Sequence, residues 1–187
     1  MAYSVVTPAA SEPITLTEAK NFLRVDGSDD DTLISALISA AREMCESYCR
    51  RILVTTTIDE YFDGFPNYKN PESKDIIYLS RGPVASITSL KYVDEIGSDV
   101  NSDAYVADLI SEPARIASTA GWFATNGIIN QVIVRYTVGT DVSSIPTPLK
   151  QGMLLIISDL YDKRDDRVRQ LPTASEYLFN PFRIFTF

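Results

Sequence analysis

A chain of 187 residues, 45% of them apolar, suits one domain or one domain with a sizeable insertion, and it can bury a real core. Its net charge of −8 works against a protein that grips a phosphate backbone, since such binders cluster Lys and Arg to release counterions. A protein that lets nucleic acid pass without holding it remains compatible with that charge.

The N-terminus, "MAYSVVTPAASEPITL", lacks a basic segment followed by a long apolar one, so it does not read as a secretion signal. The longest apolar run, Met153 to Ile157, is far too short to span a bilayer. The expectation is a protein that stays in the cytoplasm where it is made.

The first ordered element is expected at Thr15. In "TLTEAKNFLRV", Thr15 as N-cap and Glu18 three residues on form a capping box, and Leu16, Ala19, Phe22 and Leu23 recur at helical spacing. Gly27 is the expected left-handed stop. A second helix should open at Ser28, where three aspartates suit the positive end of a helix dipole. Its apolar stripe is Leu33, Ile34, Leu37, Ile38, Ala41, Met44, Cys45 and Tyr48, with Arg50 and Arg51 in the last turn.

Then the period changes. "ILVTTTIDEYF" is β-branched and aromatic and reads as a strand, and "GFPNYKNPES" is turn chemistry. "DIIYLS" and "VASITSLKYVD" read as strands, "EIGSDVNSD" as a polar turn, and "AYVADLI", "ARIAST" and "IINQVIVRYTVG" as further strands, the last ended by Gly139. Helix returns after "SSIPTP", with Thr147 as cap, Pro148 at the first helical position and an apolar face from Leu149 to Tyr161. "TASEYLF" repeats the capping box with Thr173 and Glu176, and Pro181 ends that short helix. The fold class expected is α+β: a small helical bundle from residues 1–51 and 141–180, an inserted antiparallel β-rich lobe over 52–140, and an extended tail over 181–187.

No constellation for catalysis emerges. The chain has no histidine, so Ser–His and Cys–His pairs cannot form, and no phosphate-binding glycine loop is present. "DGSDDDTL" fails as a calcium loop: counting from Asp26, the sixth position is Asp31 and the twelfth Leu37. Cys45 and Cys49 share one helix face and lack the further ligands a zinc site requires, so they read as small residues of a core in a reducing compartment. No enzyme, cofactor or metal site is expected.

Three stretches leave alternatives open. "DKRDDRVR", with Arg164, Asp165, Asp166, Arg167 and Arg169, reads either as a solvated face of weak ion pairs or as a polar contact with a neighbouring subunit. Trp122 and Phe123, between Gly121 and Gly127, form either an exposed aromatic loop or a partly buried connection. The closing "FNPFRIFTF" holds half of the eight phenylalanines: Phe179, Phe182, Phe185 and Phe187. Either they cover the chain's own helices or they wait for another protein. "RIFTF" sets Ile184 and Thr186 on one side and Arg183, Phe185 and Phe187 on the other, a pattern suited to an added strand.

In order and spacing, these segments resemble the head–tail connector (adaptor) proteins of tailed phages, prophages and gene-transfer agents. The resemblance rests on Leu16, Glu18, Ala19, Lys20, Leu23, Arg24 and Val25 in a short "L-x-E-A-K-x-x-L-R-V" helix. It continues with Asp30, Asp31, Leu33, Ile34, Leu37, Ile38, Ala40, Ala41 and Arg42 in an acidic "D-D-x-L-I-x-x-L-I-x-A-A-R" helix. "IYLSRGPVASITSLKYVDEIG", with Ser80 in place of the usual proline, and "IPTPLKQGMLLIISDLYDKRD" are similar to later blocks of that family. The departure is at the end, where "RIFTF" runs past the point at which many relatives stop.

The resemblance implies a structural protein of the virion neck: a homo-oligomeric ring, usually twelvefold, below a portal protein, which extends the DNA channel and docks a stopper or tail-completion protein. It implies that the helices form the ring body, that the β lobe projects, and that the tail (Phe179, Phe182, Arg183, Ile184, Phe185, Thr186 and Phe187) reaches the portal. DNA would pass without specific binding, and no membrane is involved. The alternatives are a stopper of the same assembly, or, from other classes, a small hydrolase or a binding module built on the β block.

Overall fold

The computed structural model describes residues 2–66, 76–125, 127–163 and 173–185. In chain order they form β1 (Ala2–Thr7), α1 (Leu16–Leu23), α2 (Asp31–Cys49), β2 (Thr56–Phe62), β3 (Ile76–Tyr78), β4 (Val84–Val93), β5 (Asp99–Asn101), β6 (Tyr105–Asp108), β7 (Arg115–Ser118), β8 (Val132–Val138), α3 (Thr147–Asp162) and α4 (Thr173–Phe179). The α+β class is as expected. A helical unit takes Ala9–Val54 and Thr140–Ile184, and a β unit takes Met1–Pro8 and Thr55–Gly139, with Phe185 grouped with the latter.

In the helical unit the capping box forms as read. The Glu18 N–H donates to Thr15 Oγ1 at 3.2 Å, and the Thr15 N–H donates to Glu18 Oε2 at 2.7 Å. That backbone bond, then the one from the Thr15 hydroxyl, holds the Glu18 carboxyl below its ordinary value. A depressed carboxylate contributes stability that is complete above its unfolded pKa and is lost as pH falls through the folded one. Glu18→Gln is therefore expected to flatten the acid limb of the stability–pH curve below about pH 5, as read by urea titrations at several pH values. Glu46, pushed up by burial, acts in the opposite sense and leaves the slope contributed by Glu18 as the part that the variant removes.

The helix stops differ from expectation. α1 ends on Arg24 and α2 on Arg50, both left-handed with φ of 59° and 54°, and Gly27 is not used as the cap. Each cap N–H finds a carbonyl four residues back, Lys20 and Glu46, and that bond offsets the strain of a left-handed side-chain residue. α2 opens at Asp30 and not Ser28, and α3 takes Pro146 as cap with Thr147 already helical.

Ile34, Ile38, Ala41, Cys45 and Cys49 line the buried face of α2, and Leu149, Gly152, Met153, Ile156 and Ile157 that of α3. These faces share one core with Ile14, Ala19, Leu53, Val54, Ile145 and Phe179. The sequence reading started the first lobe strand at Ile52. β2 instead starts at Thr56, because Leu53 is held in the helical unit: its N–H donates to Glu46 Oε1 at 2.9 Å and its carbonyl accepts from the Thr140 N–H at 3.0 Å.

In the β unit, five antiparallel strands run in the order β1-β2-β8-β4-β5, and three in the order β3-β7-β6. β8 alternates buried and half-buried residues, with Val132, Val134, Tyr136 and Val138 on the core face. Two elements were missed. β1 lies in residues assigned to the helical body and without expected structure; it pairs with β2 from Ala2↔Tyr61 to Thr7↔Thr57. β5 lies inside the stretch read as a turn and pairs Asp99–Asn101 with the end of β4.

The β unit also buries a charge-bearing side chain. Glu60 is 0% exposed, and its carboxylate accepts from Tyr136 Oη at 2.8 Å and from the Ser80 N–H at 3.1 Å. Burial first, then the nearby Glu60, pushes the Tyr136 phenol well above its ordinary value, so it stays a donor. Tyr136→Phe removes that donor from a buried acceptor and is expected to lower stability by about 1–3 kcal/mol in urea unfolding. On the opposite face Arg135 holds Asp59 in a two-bond fork, both contacts at 2.7 Å.

Candidate functional site

The C-terminal segment is placed by one close approach. A β-carbon added to Gly152 would stand 2.3 Å from Phe179 Cε1, so the ring lies directly on the backbone of α3. Beside it, Ser175 Oγ donates to the Gly152 carbonyl at 3.0 Å, a buried bond that keys α4 onto α3. Phe179 is fully buried, and its ring sits 6.0 Å from that of Tyr48. This corrects its assignment to a partner-seeking tail: Phe179 belongs to the core of the helical unit.

Beyond α4, Asn180–Phe182 make one tight turn, and the chain then follows the end of α2. Tyr48 Oη bonds Asn180 Oδ1 at 2.6 Å, Arg51 Nε donates to the Phe182 carbonyl, and the Ile184 N–H donates to the Cys49 carbonyl at 2.9 Å. The Arg183 guanidinium stands 5.2 Å over the Tyr48 ring. Phe182 packs partly buried against the helical core, and Ile184 is 3% exposed. The segment therefore covers its own unit as far as Ile184. Phe185, at 63% exposed, turns outward, which agrees with the alternation read for "RIFTF". Thr186 and Phe187 lie outside the described residues, as do Arg164, Asp165, Asp166, Arg167 and Arg169.

The exposed-loop reading of Trp122 and Phe123 is corrected. Trp122 is 8% exposed and stacks on Phe65 with centroids 4.7 Å apart, and Phe123 stacks on Tyr92 at 5.1 Å. Rings this large seek apolar contact, and Phe65 and Tyr92 supply it. What the same region does expose is aliphatic: Ile128 and Ile129 in the turn before β8, and Ile96 in the β4–β5 turn. Each turn adjoins the β4–β8 ladder, which the Val93 N–H and the Gln131 carbonyl extend at 3.0 Å. The sequence reads as strand from Ile128, but β8 begins at Val132, so Ile128 and Ile129 fall in the exposed turn before it.

Cys45 and Cys49 are both buried and reduced. The hydrogen bond to Cys49 and burial push the Cys45 thiol far up, which suits packing and not nucleophilic chemistry. Among the described residues no group of three or more His, Cys, Asp or Glu side chains could hold a metal ion, and no helix is long and apolar enough to cross a membrane.

Residues 13–92 match the family model described as Phage gp6-like head-tail connector protein, so the resemblance read from the sequence holds over that span. No curated protein sequence matches the chain. Among solved structures, a chain of the virion of a native gene transfer agent (GTA) particle shares the fold with a TM-score of 0.81 at 20% identity, over 100% of this chain and 97% of that one. A chain in the neck of an empty GTA particle, computed with C6 symmetry, gives 0.78 at 21% identity, with the same coverage. One in the neck of a native GTA particle, computed with C12 symmetry, gives 0.76 at 20%, again with the same coverage. At these identities the likeness is one of fold, from end to end of the chain.

Proposed function

We propose that this chain is a structural head–tail connector, a subunit of a ring in the virion neck beneath a portal protein, made in the cytoplasm of a bacterial host. The observation that carries the reading is the match of residues 13–92 to the head–tail connector family. The end-to-end fold shared with chains of GTA necks, computed with sixfold and twelvefold symmetry, supports a ring of twelve. Rings close by a head-to-tail interface repeated through one rotation.

The chemistry agrees with a conduit. A net charge of −8 per subunit gives a channel wall that repels DNA phosphates, so the genome slides without being held. No bond-making step is required. Phe185 and the residues after it act as the anchor to the portal, the helices up to Ile184 form the body, and the opposite face of the ring receives a stopper or tail-completion protein. Negative-stain images of the purified protein, alone and mixed with portal-bearing capsids, are expected to show rings with a central hole at the capsid vertex. A compact monomer that ignores such capsids overturns the reading.

A further inference from the structure

We infer that β1 is a strand-pairing surface for a second copy of this chain, which adds its β6, an edge strand among the described residues, to it. The inference rests on the ring reading above. β1 is the edge of the five-stranded sheet, and among the described residues no strand pairs with its outer side. All six of its residues are exposed. Tyr3 and Val5 lie on the face that their partners Glu60 and Ile58 bury completely, yet are themselves 41% and 53% exposed. The core layer of the sheet thus stops one strand short, leaving an open hydrogen-bonding edge and an apolar face covered only in part, by the Arg81 guanidinium 4.8 Å over the Tyr3 ring.

Edge strands are ordinarily blunted by charge, proline or brevity. Ala2–Thr7 has six residues, no charge and no proline, and is irregular only at Val6, where the register shifts. The opposite edge, β5, has three residues and begins with an aspartate, so it is blunted. No charged side chain occurs between Met1 and Ser11, in a chain of net charge −8. Copies that repel one another overall meet at least cost there.

Pairing of β1 with β1 would build a two-fold dimer, not a ring, so the complementary edge must be a different one. β6 bounds the three-stranded sheet, is longer than β3, and exposes Val106 at 59% beside the exposed Ala107. The carboxylate at its end, Asp108, is turned back on Ser111 at 2.7 Å and Arg115 at 2.9 Å.

Cross-linking tests this directly, because both native thiols are buried. Full-length Val5→Cys and Val106→Cys chains, one carrying a mass tag, are mixed and treated with a short bis-maleimide. Links between the two kinds of chain are expected in the mixture, with none when either variant is treated alone. Sedimentation of a Tyr3→Lys/Val5→Lys chain is expected to show loss of the self-association that the wild type shows, with unchanged circular dichroism. Links between two Val5→Cys chains, or wild-type assembly by the lysine variant, overturn the inference and leave the ring reading standing. A wild type that is monomeric at every concentration and does not decorate portal-bearing capsids overturns both.

Discussion

Phe179→Ala is expected to be the most damaging single change in the chain, lowering stability by about 3–5 kcal/mol. The ring is fully buried, packs against Tyr48 and rests on the α3 backbone at Gly152. A domain stable by about 5–15 kcal/mol loses a large part of its margin to such a cavity. Gly152→Ala attacks the same contact from the other side. Its new methyl group would stand 2.3 Å from the ring, and a fully buried ring has nowhere to swing, so a loss of about 1–3 kcal/mol is expected despite the better helix propensity of alanine. The two changes must couple. With the ring gone, the alanine meets open space and should become neutral or favourable by up to about 1 kcal/mol. Denaturant titrations of the four proteins of this cycle decide the matter: equal destabilisation by Gly152→Ala with and without the ring would show that the contact is not what excludes a side chain there.

Truncation after Ile184 separates function from folding. Removing residues 185–187 is expected to leave the helical unit at wild-type stability and to abolish attachment to portal-bearing capsids. Cutting two residues earlier, after Phe182, does something else. It removes Ile184, whose burial is worth about 1.5–3 kcal/mol, and the bond from its N–H to the Cys49 carbonyl, worth about 1 kcal/mol. A cut at Arg183 therefore confounds loss of docking with loss of stability, and the cut at Phe185 avoids this. A chain lacking 185–187 that decorates capsids as well as the full-length protein does would remove the tail from the portal interface. In a ring the effect is amplified, since many weak anchors act together.

The aromatic terminus shows how far pattern alone reaches. Alternation in "RIFTF" correctly separates the buried Ile184 from the outward Arg183 and Phe185, because in extended chain that alternation is purely local. Whether the buried side meets the chain's own helices or another protein is a question of distance between segments more than 100 residues apart, such as Cys49 and Ile184. Trp122 and Phe123 make the same point: the sequence leaves an exposed loop and a partly buried connection both open, and only Phe65 and Tyr92 packed against them decide for the second.

What the sequence by itself determined are the features carried by neighbours along the chain: the Thr15–Glu18 capping box, the stripes of α2 and α3, the β character of the middle segment, and the ordered blocks within residues 13–92 that match the connector family model. Each depends on interactions within a few residues, where spacing implies geometry. Only the tertiary structure decided that Ala2–Thr7 is a strand, that Leu53 and Val54 belong with the helices, that Glu60 can be buried, and that Phe179 needs a glycine opposite it. In each case the partner is remote in sequence. An edge strand, a buried acid or a ring-sized gap acquires meaning only from what the fold places against it.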